Sequence, residues 1–245
     1  MSFQFSPIID TMLDLYQQPR SIKRFKEYLK ILQGDSKDDM LVPIGNFNPM
    51  GKEHVLEKLV ELKKLKAEQL IADILSEINK RSSPIKEIKV SLVLADDLKG
   101  AWTNRYTTDF DSKFKLNALI TRGFCTPLFW TSEEYSEELI KKRTLEYCLR
   151  TLYWLNASKP ITLKEYMDQE VFVAEKSSSK ELNNNCDFET LNNFYDQNKE
   201  TDRYEIIFNF FYGDKACGEL NFPVFGIKEE FAGFEFAKEL AKRKK

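Results

Sequence analysis

A chain of 245 residues with 42% hydrophobic and 13% aromatic side chains can bury a sizeable core, and this composition excludes a disordered segment. Its 37 basic and 39 acidic residues leave a net charge of −2, without the cationic excess that supplies most nucleic-acid affinity. No apolar run approaches the roughly 18 to 20 residues that span a bilayer, so neither nucleic acid nor membrane is an expected partner.

The four cysteines, Cys125, Cys148, Cys186 and Cys217, are widely spaced and form no CxxC pair. They read as reduced, buried thiols of a cytoplasmic protein rather than as a disulfide framework or a zinc site. The first twenty residues have no basic start followed by an apolar core, so no signal peptide is expected. Asn156-Ala157-Ser158 matches the glycosylation pattern, which matters only in a secreted chain.

In chain order, Ser6-Pro7 predicts the start of a first helix carrying Ile8, Ile9, Met12, Leu13 and Leu15, ended by Pro19. Ser21 to Gln33 predicts a second, with Ile22, Phe25, Tyr28, Leu29 and Leu32 as its apolar stripe and Gly34 as its stop. Residues 35–52 read as a loop whose second half, LVPIGNFNPMGK, mixes Pro, Gly and Asn with apolar residues and so has a defined path. From Glu53 to Arg81 the chain is strongly helical, with a slip of register near Leu62 to Lys66 that predicts two helices or one bent one. Ser82-Ser83-Pro84 breaks it.

The stretch from Glu87 to Asp111 is the densest in chemistry. Ile88, Val90, Leu92 and Leu94 alternate with Lys89, Ser91, Val93 and Ala95, which predicts a strand over 88–95. It stops on Asp96 and Asp97, turns through Gly100, and continues as a polar and aromatic loop from Trp102 to Asp111. Phe124 to Thr131 reads as a second strand, at an edge or bulged because Pro127 cannot donate to a ladder. A long helix capped at Ser132 or Ser136 runs to Asn156, and Thr162 caps another through Lys176. Residues 177–187 are the best candidate for a mobile connection, and Phe188 to Asp196 reads as a short helix. Tyr204 to Tyr212 reads as a strand buried on both faces, with 216–222 as a hairpin partner after Gly213-Asp214. Phe231 to Lys245 reads as helix, with a solvated lysine-rich tail.

The expected fold is therefore α+β: one globular domain with a small mixed or antiparallel sheet from 88–95, 124–131 and 204–222, covered by helices. Residues 6–81 form its helical part and 85–245 its α+β part.

The single histidine, His54, excludes HExxH and any site needing several histidines. Nucleotide-binding glycine motifs and GxSxG are absent. Asp96 and Asp97 stand where a strand delivers residues to a sheet edge. With Asp109, and with Arg105 to stabilise charge, they predict a carboxylate-based or metal-assisted hydrolase; Asp97, Asp109 and Asp111 are the oxygen ligands that Mg2+ or Ca2+ would need. The bland alternative is a strand end followed by exposed acids. The second reading is a binding protein that holds a small polar ligand or a partner. Trp102 and Tyr106 would stack, Asn104 would read an amide or hydroxyl, and Asn46, Asn48 and His54 would come from the neighbouring loop. Its alternative is that Trp102 and Tyr106 only anchor the loop while Arg105 pairs with a nearby aspartate. The binding reading leads, because the carboxylates lack partners at a recognisable spacing. Oligomeric state is not written in the sequence.

Overall fold

The computed structural model describes residues 2–37, 39–80, 86–98, 102–157, 159–177 and 186–244. The expected break at Ser82 to Pro84, the turn at Gly100, Ser158 of the glycosylation pattern and 178–185 of the connection lie outside them. The chain packs as two compact units, Met1–Cys148 and Leu149–Lys245.

The first unit is a small parallel sheet wrapped by helices. Strands β1 (Ser2–Phe5), β2 (Glu87–Val90) and β4 (Phe124–Cys125) pair in the order β1-β2-β4, and β3 (Val93–Ala95) pairs with β5 (Leu128–Trp130). Every pairing between these strands is parallel. The α+β class holds, but the expectation of mixed or antiparallel strands is corrected. The reason is connection length: β1 reaches β2 only after α1 (Ile9–Gln17), α2 (Ile22–Gln33), α3 (Glu53–Lys64) and α4 (Ala67–Asn79). Crossovers of that kind join parallel strands, whereas antiparallel neighbours need only a hairpin. Between β3 and β4 lie α5 (Arg105–Phe114) and α6 (Asn117–Thr121).

The strand expected over 88–95 is interrupted at Ser91-Leu92, and 124–131 is interrupted at Thr126-Pro127, yet the ladder runs through both gaps. Lys89 N donates to Gly123 O, Ser91 N to Cys125 O, Val93 N to Pro127 O and Thr131 N to Ala95 O, at 2.8 to 3.2 Å. Pro127 serves as an acceptor, which costs the ladder nothing. Residues 88 and 90–96 are all buried, so the strand alternates only at its start and is then covered on both faces, as parallel strands are.

β1 was not foreseen, and it shortens the first helix. Ser6 N donates to Val90 O at 3.0 Å, so Ser6 prolongs the ladder instead of capping α1. The α1 start is satisfied from α4: Glu68 Oε1 accepts from Ile8 N at 2.7 Å and Ile9 N at 2.9 Å. A carboxylate there also suits the positive helix end. Asn79 closes the outer edge of β1, exchanging two hydrogen bonds of 2.8 Å with the Phe3 backbone. The slip near Leu62 to Lys66 is a true break, with Lys66 in the left-handed region at φ 52°.

The second unit contains α8 (Leu163–Ser177), α9 (Phe188–Asn198), α10 (Tyr204–Glu219) and α11 (Ala232–Arg243), with the last turns of α7 (Glu137–Asn156). The strand expected at 204–212 and its hairpin partner at 216–222 are corrected: 204–212 and 216–219 belong to α10, and 220–222 follow its end. A continuous apolar run carries no period, so strand and buried helix look alike in it. Ile206 to Gly213 are all buried, as in a helix covered on every side. On α8 the capping box is complete, with Glu165 Oε2 accepting from Thr162 N at 3.0 Å and Thr162 Oγ1 accepting from Glu165 N at 3.4 Å. Arg150 binds Glu170 in two places, at 2.8 and 2.6 Å, inside this unit. Among the described residues no helix is long and apolar enough to cross a membrane.

Gly213 kinks α10 with φ 81° and ψ 172°, a conformation open essentially to glycine, and an added Cβ would stand 2.6 Å from Glu229 O. Gly218 has nothing within 4 Å of such a Cβ. Gly213→Ala should lower stability by roughly 2 to 4 kcal/mol, while Gly218→Ala should be neutral or raise it by up to about 1 kcal/mol. Urea unfolding of the two variants measures the contrast; equal effects would mean the kink is not strained.

Candidate functional site

β3 and β5 end side by side at Ala95 and Trp130, so Asp96-Asp97 and Thr131-Ser132 emerge together at the carboxyl edge of the sheet. In open parallel sheets this edge is where ligands are held. Asp96 is buried there and receives donors from three directions. Asn48 Nδ2 reaches its Oδ2 at 2.8 Å, while His54 Nε2 and Thr131 Oγ1 each stand 2.9 Å from its Oδ1. Burial pushes this carboxyl up, but the hydrogen bonds from His54, Asn48 and Thr131 outweigh it and hold Asp96 below the usual aspartate value.

Asp97 points the other way and is equally engaged. Its Oδ1 accepts from Ser132 N at 3.0 Å, its Oδ2 from Ser132 Oγ at 2.6 Å and from Arg105 Nη1 at 3.1 Å. Thr131 Oγ1 is 3.1 Å from Asp97 Oδ1, so one hydroxyl proton serves both carboxylates. A continuous chain of polar contacts therefore runs from His54 through Asp96, Thr131 and Asp97 to Ser132.

The loop before α3 has the defined path its composition implied. Phe47 forms an antiparallel bridge with Ala95, filling the sheet edge beyond the end of β1. Tyr16 Oη donates to Asn48 O at 2.7 Å, Tyr28 Oη to Ile44 O at 3.2 Å, and Arg24 Nη1 to Pro49 O at 3.2 Å. These donors pin the loop by its carbonyls and so deliver Asn48 and His54 to Asp96. Thr103 Oγ1 donates to Asp96 O at 2.8 Å from the other side. The two segments meet at Asp96.

The expected loop from Trp102 to Asp111 is corrected to a helix from Arg105 on. Asn104 caps α5, its Oδ1 accepting from Thr107 N at 3.0 Å. Arg105 in its first turn lies 4.4 Å over the Trp130 ring and joins Asp97 to Glu133, whose Oε1 accepts from Arg105 Nη2 at 2.8 Å. Glu133 also binds Arg143 in two places, and its own carbonyl accepts from Lys58 Nζ at 2.6 Å. Burial raises the Glu133 carboxyl, but Arg143 and then Arg105 more than reverse this and leave it below the ordinary glutamate value.

The candidate residues thus separate into groups. Asp96, Asp97, Arg105, Asn48 and His54 come together. Asp109 is buried on α5 and paired with Lys113, while Asp111 is exposed and paired with Lys115 at 2.7 Å. Asp97, Asp109 and Asp111 form no ligand set: among the described residues no three His, Cys, Asp or Glu side chains group as a metal ion would need. Tyr106 is buried in α5; Trp102 is 45% exposed and packs its ring against Phe25 and Tyr28 at 6.1 and 6.4 Å. Asn46 is half-buried in the pinned loop. Sequence reasoning missed Thr131, Ser132, Glu133 and Arg143 as members of the network. The signal was present, because parallel pairing of 93–95 with 128–130 places Asp96 beside Thr131.

Comparison with protein-family models, with curated proteins and with solved structures finds nothing that matches this chain.

Asp96→Asn keeps the shape but loses the charge that three donors face, and should cost roughly 1 to 3 kcal/mol at pH 7. Because the folded pKa of Asp96 lies below its unfolded value, its stabilisation is present above about pH 4 and is lost as pH falls through the folded value. The gap between wild type and variant should therefore close towards low pH in denaturant melts. A constant gap would remove the Asp96 charge from the account.

Proposed function

We propose that the carboxyl edge of β3 and β5 binds a small polar ligand, with His54 and Trp102 as its ligand-facing groups. One observation carries this reading. Within the Asp96 network the acids and amides are spent on internal hydrogen bonds, whereas the His54 side chain is held by Asp96 and still 28% exposed. An oriented imidazole can donate or accept towards a ligand, and the indole of Trp102, next in sequence to the Thr103 that bonds Asp96 O, gives stacking area at small entropic cost. Asn46 lies in the same loop, at the rim. The four free, buried thiols fit a protein working in the reducing cytoplasm.

A second reading, a carboxylate-based hydrolase, is favoured by the same contact seen as chemistry. A buried carboxylate fixing an exposed imidazole is the arrangement of a general base, so Asp96 would act through His54 on a water. Asp97 and Arg105, bound to each other, would support that pair from behind.

Amino acids, sugars, carboxylic acids and nucleosides at millimolar concentration, screened by thermal unfolding, test the binding reading. A ligand at a hundred times its Kd adds about 2.7 kcal/mol, a rise of roughly 5 to 10 °C for a chain of this size. Trp102→Ala and His54→Gln should each weaken that ligand by about 1 to 3 kcal/mol. A rise that survives both substitutions places the ligand elsewhere. Turnover of p-nitrophenyl esters, phosphates or glycosides that His54→Gln abolishes would favour the hydrolase instead.

A further inference from the structure

The outward face of α2 carries an exposed isoleucine beside a run of lysines. At 100° per residue Phe25, Leu29 and Ile22 form one strip and Lys26, Lys30 and Lys23 the next, with Gln33 between them and the exposed Glu27 beyond Lys23. Arg24 and Tyr28, on the opposite side, are buried. Trp102 extends the apolar strip, its ring 6.1 Å from that of Phe25, and Ile22 is 67% exposed. The helix carries four basic residues and one acid in a chain of net charge −2.

Local stability does not account for this arrangement. Lys23 sits in the first turn, where the helix dipole disfavours a cation, and no side chain caps the helix at Ser21. Lys30 in the last turn is explained by the same dipole; Lys23, Lys26 and the exposed Ile22 are not. A contiguous apolar strip beside a charged one marks an interaction surface.

We propose that this face docks an acidic amphipathic peptide segment of a partner protein, with an apolar side chain seated among Ile22, Phe25 and Trp102 and its carboxylates along Lys23 and Lys26. Charge complementarity selects the acid. Shape selects a peptide over a lipid surface: Phe25 and Leu29 are sunk to half exposure, and a cleft of about 440 Å³ opens between Lys26, Leu29, Lys30 and Lys37, with Asp35, 3.7 Å from Lys30, also on its wall. A flat bilayer cannot enter a cleft, whereas one face of a peptide helix can. The face shares Trp102 with the small-ligand site but not His54, so His54→Gln separates the two readings.

The test uses a fluorescently labelled 18-residue helical peptide of Glu and Leu, read by polarisation against the full chain at 50 mM salt. Saturable binding is expected, weakened about tenfold or more by Lys23→Glu with Lys26→Glu and by 300 mM salt, and unchanged by His54→Gln. Replacing each Glu of the peptide by Gln should abolish it. The substituted lysines are exposed, so the variants keep the fold, which circular dichroism checks. Absence of saturable binding, or binding that the paired substitution leaves intact, overturns the proposal. So does finding that the same substitution instead abolishes binding to phosphatidylserine vesicles or self-association in sedimentation, which would assign the face to lipid or to a second copy.

Discussion

Two adjacent carboxylates at the end of a buried strand are the constraint on which the first unit depends. A charge taken out of water is tolerated only if donors replace the water, and a buried acid left unpaired costs several kcal/mol. Asp96 and Asp97 leave the strand in opposite directions, so beyond the shared Thr131 hydroxyl each needs donors of its own. The chain answers with donors from distant segments: Asn48 from the pinned loop, His54 from α3, Arg105 from α5, and Thr131 and Ser132 from the end of β5. Each of these elements is placed by what it must supply to that strand end.

The same requirement decides which groups remain for chemistry. Asp97 spends both oxygens on Ser132, Thr131 and Arg105, and Arg105 spends its two terminal nitrogens on Asp97 and Glu133. Glu133 carries two guanidinium groups, which keeps it ionised despite burial. These groups form the rigid frame of the site. His54 differs because it gives only one ring nitrogen to the frame, whereas Arg105, nearly as exposed, gives both terminal nitrogens. Precision of position, set by residues that do not meet the ligand, is what a loop-borne group otherwise lacks.

What was legible followed from local rules. The alternation of Ile88 and Val90, the strand end at Asp96, the stop at Gly34, the break before Ala67 and the cap at Thr162 are all set by neighbours in sequence. What escaped was set by distant partners. Ser6 looked like a cap because the ladder claiming it comes from Val90, over eighty residues away. The aromatic run at 204–212 has no period, so only its packing could show a helix. The segment after Trp102 does carry a local helix signal: Asn104 offers a cap, and Asp109–Lys113 and Asp111–Lys115 are pairs four apart. The same spacing that staples α5 draws those two acids away from Asp97, so recognising the helix would also have dissolved the expected metal set.

α2 serves two surfaces at once. Its inner side holds the loop: Arg24 bonds Gln18 O and Pro49 O and lies 4.7 Å over the Tyr16 ring, while Tyr28 reaches Ile44 O. Through that loop it sets the position of Asn48 on Asp96. Its outer side carries the apolar and basic strips. A partner on the outer side could alter the Asp96 network only by preferring a second position of the helix. The buried guanidinium and phenol, each bonded to fixed carbonyls, make any such position expensive, because moving α2 would strip several buried polar groups at once. The anchoring that gives the site its geometry therefore closes that route, which leaves Trp102, in contact with Phe25 and next in sequence to the Thr103 that bonds Asp96 O, as the link from the exposed face to the site.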